Sequence, residues 1–264
     1  MNISNFKNPF FIGVAGVGMS AIAQYLQGIG MQVSGSDRYF HEGEYNKTKE
    51  QLENEGIKCF LQDGSGITAE TDLVVVSTAI EDTVYEVKKA KELGIPIIKR
   101  SQLLAMIAKS KKTIAVAGTS GKSTTSAMLF QILLDAGLEP SIISGAGLTS
   151  IIKQGKIGNA YVGKGDWLII EADESDGSVV QYEPEIGLLL NIDKDHQEID
   201  ELIELFTIFK NNTNSLFIVN QSNKLAKTLS ANPENDFGFE NENAGFNAKN
   251  FVQNGFHLSF EVLN

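Results

Sequence analysis

The chain has 264 residues, 42% of them hydrophobic, and a formal net charge of −11 at pH 7. That length allows two medium domains with a core each, and no uninterrupted apolar run is long enough to span a membrane. The negative balance disfavours nonspecific nucleic-acid binding, so phosphates bound by this chain are expected to be those of small molecules. The single cysteine, Cys59, excludes an internal disulfide and a cysteine-built zinc site, and it is expected to be a small core residue beside Phe60. The first residues lack a charged head, apolar core and cleavage site, so the expected location is the cytoplasm.

In chain order, residues 10–15 read as a buried strand that runs into Gly13-Val14-Ala15-Gly16-Val17-Gly18-Met19-Ser20-Ala21. Gly16, Gly18 and Ala21 fit G-x-G-x-x-[GA], in which one glycine permits the turn, the next admits a diphosphate and the small third residue lets helix pack on strand. A helix to about residue 28 is followed by a strand over 32–36 that ends on Asp37, about where a ribose-binding acid sits in such folds. Strands at 57–61, 73–76 and 95–98, with a helix near 84–93, continue an alternation that predicts a parallel sheet with right-handed crossovers. Ser77-Thr78-Ala79-Ile80 ends the 73–76 strand, where open α/β sheets bind ligands, although a plain polar turn has the same composition. A short helix at 101–108 and the basic linker 109–112 place a domain boundary, giving domains 1–108 and 109–264.

The second glycine loop is the centre of the chain. An apolar run at 113–117 feeds Gly118-Thr119-Ser120-Gly121-Lys122-Ser123-Thr124, and residues 123–136 carry helical apolar spacing. Strand, tight loop and helix make a cradle for an anion of phosphate size, with Lys122 as a mobile charge and Ser123 as a hydroxyl ligand for magnesium. The loop is short for a common P-loop, since Val116 stands where that pattern wants its first glycine.

Strands at 141–144 and 167–170 follow, the latter delivering Glu171-Ala172-Asp173-Glu174-Ser175-Asp176 to its C-terminal edge, where carboxylates can ligate magnesium. After a turn at 182–185, a strand at 186–190 ends in Asn191-Ile192-Asp193-Lys194-Asp195-His196. A helix over 198–211 and a strand at 216–219 come next. The segment 232–264 reads as short antiparallel strands, and its last alternation stops at 262–264 without a turn or cap, as if inside a sheet.

Four segments, the first glycine loop with Ser34-Gly35-Ser36-Asp37, Ser77-Thr78-Ala79-Ile80, the second glycine loop, and the acids 171–176 followed by Asn191-Ile192 and Asp195-His196, resemble in this order and spacing the Mur ligase family of ATP-dependent amide-forming enzymes, and the likeness covers nearly the whole chain. The resemblance implies a Rossmann-like, parallel-sheet α/β domain for a UDP-sugar, then a P-loop-type α/β ATPase domain. The family's C-terminal domain and the last elements of its central domain are absent from the sequence, so the chain by itself is expected to be inactive. The shortened glycine loop is the form this family uses. Where this branch usually has His, the chain has Ser120, and the usual Thr after the lysine is Ser123.

The implied function is ligation of an amino acid, L-alanine on the reading of Glu174-Ser175-Asp176, to UDP-N-acetylmuramate for peptidoglycan precursors, through an acyl phosphate and with ATP and magnesium. The implied catalytic residues are Lys122, Glu171 and His196, with Ser123 on one magnesium, Glu171 and His196 on a second, and residues 118–124 on ATP. Gly16, Val17, Gly18, Met19, Ser20, Asp37, Ser77, Thr78, Ala79, Glu174, Ser175, Asp176 and Asn191 are the implied substrate residues, Asn191 with Asp173 orienting substrate or water. Two alternatives stay open: a recycling ligase that adds a peptide, and a nicotinamide dinucleotide-binding module built on G-x-G-x-x-A and Asp37.

Overall fold

The computed structural model describes residues 2–194 and 197–263. After a 3-10 turn at Ile3–Asn5 come β1 (Pro9–Ile12), α1 (Val17–Gly28), β2 (Ser34–Ser36), α2 (Lys47–Asn54), β3 (Lys58–Phe60), β4 (Leu73–Val76), α3 (Tyr85–Glu92), β5 (Ile97–Lys99) and α4 (Arg100–Lys109). Next are β6 (Lys112–Ala117), α5 (Lys122–Asp135), β7 (Ser141–Ile143), α6 (Thr149–Ile152), β8 (Ala160–Tyr161), β9 (Trp167–Ala172), β10 (Ile186–Leu189), α7 (Ile199–Asn212) and β11 (Leu216–Val219). Then follow β12 (Phe237–Phe239), β13 (Phe246–Asn254) and β14 (His257–Leu263). The chain forms two compact units, Met1–Lys111 with Ser126–Ile169, and Lys112–Thr125 with Ile170–Asn264.

The first unit is built on a five-stranded sheet in the order β3-β2-β1-β4-β5, every neighbouring pair parallel. All of β1 is buried, as expected of a central strand covered on both faces. Phe10, Ile12 and Val74 pack there with Ile67, Val87 and Ala90. A Cβ on Gly35 of β2 would come within 2.6 Å of the Phe11 carbonyl oxygen, so only glycine fits beside β1.

Within the same unit, Asn159, 1% exposed, fastens the approach to β8 onto α1. Its Nδ2 donates to the Val17 carbonyl (2.8 Å) and to Ser20 Oγ (3.0 Å), and its Oδ1 accepts from Gln24 Nε2 (2.7 Å). Removing one side of a buried polar cluster strands the other side. Asn159→Ala is therefore expected to cost about 1–3 kcal/mol in urea unfolding, with no change in nucleotide affinity.

The second unit carries the strand order β11-β10-β6. In the second unit, β10 pairs in parallel with both β6 and β11. Gly187 of β10 leaves room for Thr213 and Phe217, whose nearest atoms would lie 2.5 and 3.0 Å from a Cβ there. The α7 helix buries Leu202, Phe206 and Phe209, a stripe of helical period. Buried Asp236 holds the following segment by accepting from the Val219 N–H (2.9 Å), Gln221 Nε2 (2.7 Å) and Ser230 Oγ (2.5 Å).

Several expected boundaries move. The first strand stops at Ile12 rather than residue 15 because Gly13, at φ +83°, turns the chain. The strand expected at 95–98 starts at Ile97, since the Ile95 N–H still bonds to Ala90 at the end of α3. The 32–36 strand shortens to Ser34–Ser36. The last segment is not wholly antiparallel: β12 pairs in parallel with β13, and only β13 and β14 are antiparallel, with a bulge between Lys249 and Val252. The β7 and β8 strands are also antiparallel, an exception to the parallel pattern.

Cys59 is half-buried on β3, and burial pushes its thiol up to about 12. It stays protonated at neutral pH and is a poor nucleophile. At pH 8 the folded chain is expected to react with a disulfide reagent at least about tenfold more slowly than the unfolded chain, because the thiolate is the reacting form. Equal rates would show an open thiol. Among the described residues, no helix is long and apolar enough to cross a membrane.

Candidate functional site

The first unit carries a cleft of about 380 Å³ at the C-terminal edge of its sheet. It lies where the strand order reverses around β1, the usual ligand position of such sheets. Of the residues expected to bind substrate, Gly16, Asp37, Ser77 and Ala79 line it, joined by Arg38 and Gln62, which the sequence pattern did not single out. Arg38 could have been found by its place beside Asp37. A second hollow, of about 360 Å³, opens at the opposite edge, where Asn8 precedes β1 and Ser34 and Lys58 begin β2 and β3.

The glycine loop is pinned from β2. Ser36 accepts the N–H groups of Gly13 (2.7 Å) and Val14 (3.0 Å) at its carbonyl, and Asp37 Oδ2 accepts that of Ala15 (2.9 Å). Asp37 Oδ1 accepts the Tyr39 N–H (3.1 Å), so each oxygen of this buried carboxylate has a backbone partner. The first N–H groups of α1 then remain as the anion-facing donors. Met19 and Ser20 are buried, and Ser20 Oγ donates to the Val17 carbonyl (3.0 Å), so both serve packing. Arg100 lies over Gly18, where its Cδ would be 3.1 Å from a Cβ. Val17 is exposed, and neither it nor Thr78 is among the cleft residues.

In the second unit, β6 delivers the shorter glycine loop to the head of α5. Gly118 and Gly121 have φ of +134° and +83°, conformations that disfavour any side chain. Lys122 Nζ folds back to donate to the Gly118 carbonyl (2.7 Å) and to Glu174 Oε2 (2.8 Å). The side chains of this ion pair are only 15% and 6% exposed. Ser123 Oγ donates to Glu171 Oε2 at 2.8 Å. Ser120 and Thr124 are exposed.

The strand expected at 167–170 runs on to Ala172, so Glu171 lies within β9, and the acids from 171 to 176 divide their work. Glu171 and Glu174 reach the loop, whereas Asp173 and Asp176 fold the segment itself, accepting the N–H groups of Ser175 (3.1 Å) and Ser178 (2.9 Å). Ser175 is exposed, and Gln197 Nε2 donates to the Glu174 carbonyl (3.1 Å), a support that no sequence pattern signalled.

Asn191, just after β10, binds the loop directly. Its Oδ1 accepts from Thr119 Oγ1 (2.8 Å) and the Ser120 N–H (2.9 Å), and its Nδ2 donates to the Ser120 carbonyl (3.0 Å). It orients the loop, where the sequence expectation had it orienting substrate or water. The expected magnesium ligand His196, with Asp195, lies outside the described residues. The Ser123 hydroxyl and Glu171 carboxylate are hard oxygen donors side by side, a donor set that fits magnesium.

Residues 10–112 match the family described as Mur ligase family, catalytic domain, and residues 116–264 match the Mur ligase middle domain. The UDP-N-acetylmuramate–L-alanine ligase of Cyanothece sp. is 43% identical over 211 residues, covering 77% of this chain and 42% of that protein. The enzyme of the same name from Aquifex aeolicus is 39% identical over 198 residues, covering 75% and 41%. Among solved structures, the UDP-N-acetylmuramate-alanine ligase of Thermotoga maritima has a TM-score of 0.81 at 24% identity, covering 97% of this chain and 57% of that one. A murein peptide ligase from Psychrobacter arcticus has a TM-score of 0.79 at 23% identity, covering 96% and 58%. At these identities the solved structures share the fold. The chain spans about two-fifths of the length of the curated relatives.

Proposed function

Since the chain belongs to the Mur ligase family, we propose that it is the sugar-nucleotide- and ATP-binding part of a ligase that joins L-alanine to UDP-N-acetylmuramate in the cytoplasm. The observation that carries this reading is the pairing of consecutive loop residues with carboxylates of one segment, Lys122 with Glu174 and Ser123 with Glu171. The names of the relatives support the choice of substrates. The proposed division of labour is residues 1–108 for the UDP-sugar and 109–264 for ATP.

The difficulty of the reaction is electrostatic, because a substrate carboxylate must approach a triphosphate of like charge. Lys122 and the N–H groups at the head of α5 accept negative charge as the γ-phosphoryl group moves to the carboxylate oxygen and ADP departs. The amine then attacks the acyl carbon, phosphate leaves and the amide forms. Ser123, Glu171 and His196 would hold magnesium, which when bound supplies positive charge against the phosphate oxygens. The first cleft binds the UDP-sugar, with the N–H groups of α1 facing its diphosphate.

The dinucleotide module is not favoured, because it has no need of a second glycine loop whose Lys122 and Ser123 are paired with Glu174 and Glu171. Calorimetry on this chain is expected to show heat with UDP-N-acetylmuramate and none with NAD. Phosphate release by the protein in its natural length, with ATP, magnesium, UDP-N-acetylmuramate and L-alanine, tests the rest. Turnover with a peptide but not with L-alanine would replace the amino-acid reading by the recycling one.

A further inference from the structure

The shorter loop has only Thr119 and Ser120 between its glycines, so it has few amides of its own with which to fix its shape. We propose that Asn191 supplies that shape from outside, as a positioning residue that sets the peptide planes of the loop before ATP arrives. This rests on the reading that the Lys122 loop binds ATP.

Both ends of the Asn191 amide are used on the loop, through Thr119 Oγ1, the Ser120 N–H and the Ser120 carbonyl. The backbones meet as well, with the Thr119 N–H donating to the Asn191 carbonyl at 3.3 Å. A Cβ on Gly118 would lie 3.1 Å from the Asn191 nitrogen, so a side chain there would press on the Asn191 backbone. The clamp is itself anchored on both sides. The Leu190 N–H donates to the Ala117 carbonyl (3.0 Å), the Ile192 N–H to Asn223 Oδ1 (3.3 Å) and the Asp193 N–H to Thr119 Oγ1 (3.1 Å).

The consequence for binding is directional. With the Ser120 N–H turned toward Asn191, the loop directs its remaining donors, at the head of α5, to the anion. A loop that samples other peptide orientations would have to be ordered by the nucleotide, which lowers affinity without touching the UDP-sugar cleft. Asn191 is thus expected to act on ATP binding more than on turnover at saturation.

The test uses Asn191→Leu and the near-isosteric Thr119→Val in the natural-length protein. Each is expected to raise KM for ATP about tenfold or more, while kcat falls less and KM for UDP-N-acetylmuramate stays within about twofold. The double variant is expected to be scarcely worse than Asn191→Leu, because that change already removes the Asn191–Thr119 bond that Thr119→Val removes. Thr119→Val guards against a misfolded Asn191 variant. An unchanged KM for ATP in either single variant, or equal rises in both KM values, would overturn the inference. A wild-type protein that binds no ATP would instead remove the functional reading beneath it.

Discussion

Lys122→Met is expected to lower kcat for phosphoryl transfer on the order of a thousandfold, while UDP-N-acetylmuramate binding stays within about twofold. The charge it removes is the one basic side chain that the glycine loop itself contributes. Methionine keeps most of the volume, so the loss isolates charge and hydrogen bonding. There is a complication that the geometry makes explicit: Glu174, with its side chain 6% exposed, would be left without the ammonium it now faces. Breaking one partner of a buried pair costs about 3–5 kcal/mol, so the single variant should also melt earlier. Adding Glu174→Gln removes the orphaned charge, and the double variant should regain stability without regaining activity. Glu174→Gln alone should lower KM for ATP, because nucleotide phosphates no longer compete with a carboxylate for Lys122. A Lys122→Met protein with near-normal turnover at saturating ATP would mean that the loop lysine is structural.

How much of this was legible follows from where the information sits. The two strand-loop-helix units were readable because β1 and β6 are continuous apolar runs and their loops carry glycines at fixed offsets, Gly13 and Gly121 both taking positive φ. The β8 and β12 strands were not readable, since Ala160–Tyr161 is only two residues and Phe237–Phe239 has a glycine at its centre. The α2 helix was missed although Asn46 caps it by accepting the Lys49 N–H, a signal present in the sequence. At the site, the sequence placed the acids at the end of the strand it read at 167–170 but could not tell which would face the loop. Asx turns decide that: Asp173 and Asp176 fold their own backbone, so Glu171 and Glu174 are the ones that extend. Asp37 and Asn191 were expected to bind substrate, yet Asp37 holds the Ala15 N–H and Asn191 the Ser120 N–H, partners far away in sequence that spacing along the chain does not encode.

The second large effect is expected at Glu171. Its Oε2 accepts from Ser123 Oγ at 2.8 Å, and these two hard oxygen donors would help hold magnesium, which would supply positive charge against the phosphate oxygens. Glu171→Gln keeps the shape and one acceptor oxygen but removes the charge. In the natural-length protein, half-saturation by magnesium should rise at least about tenfold and kcat fall on the order of a hundredfold. Ser123→Ala should move magnesium affinity in the same direction by less, because a neutral hydroxyl contributes less to a divalent cation than a carboxylate does. Manganese binding followed by electron spin resonance in the presence of ATP gives a readout independent of turnover. If Glu171→Gln binds manganese like wild type and turns over normally, the carboxylate only orients Ser123. In that case Ser123→Ala, which removes the oriented group, should be the more damaging of the two changes.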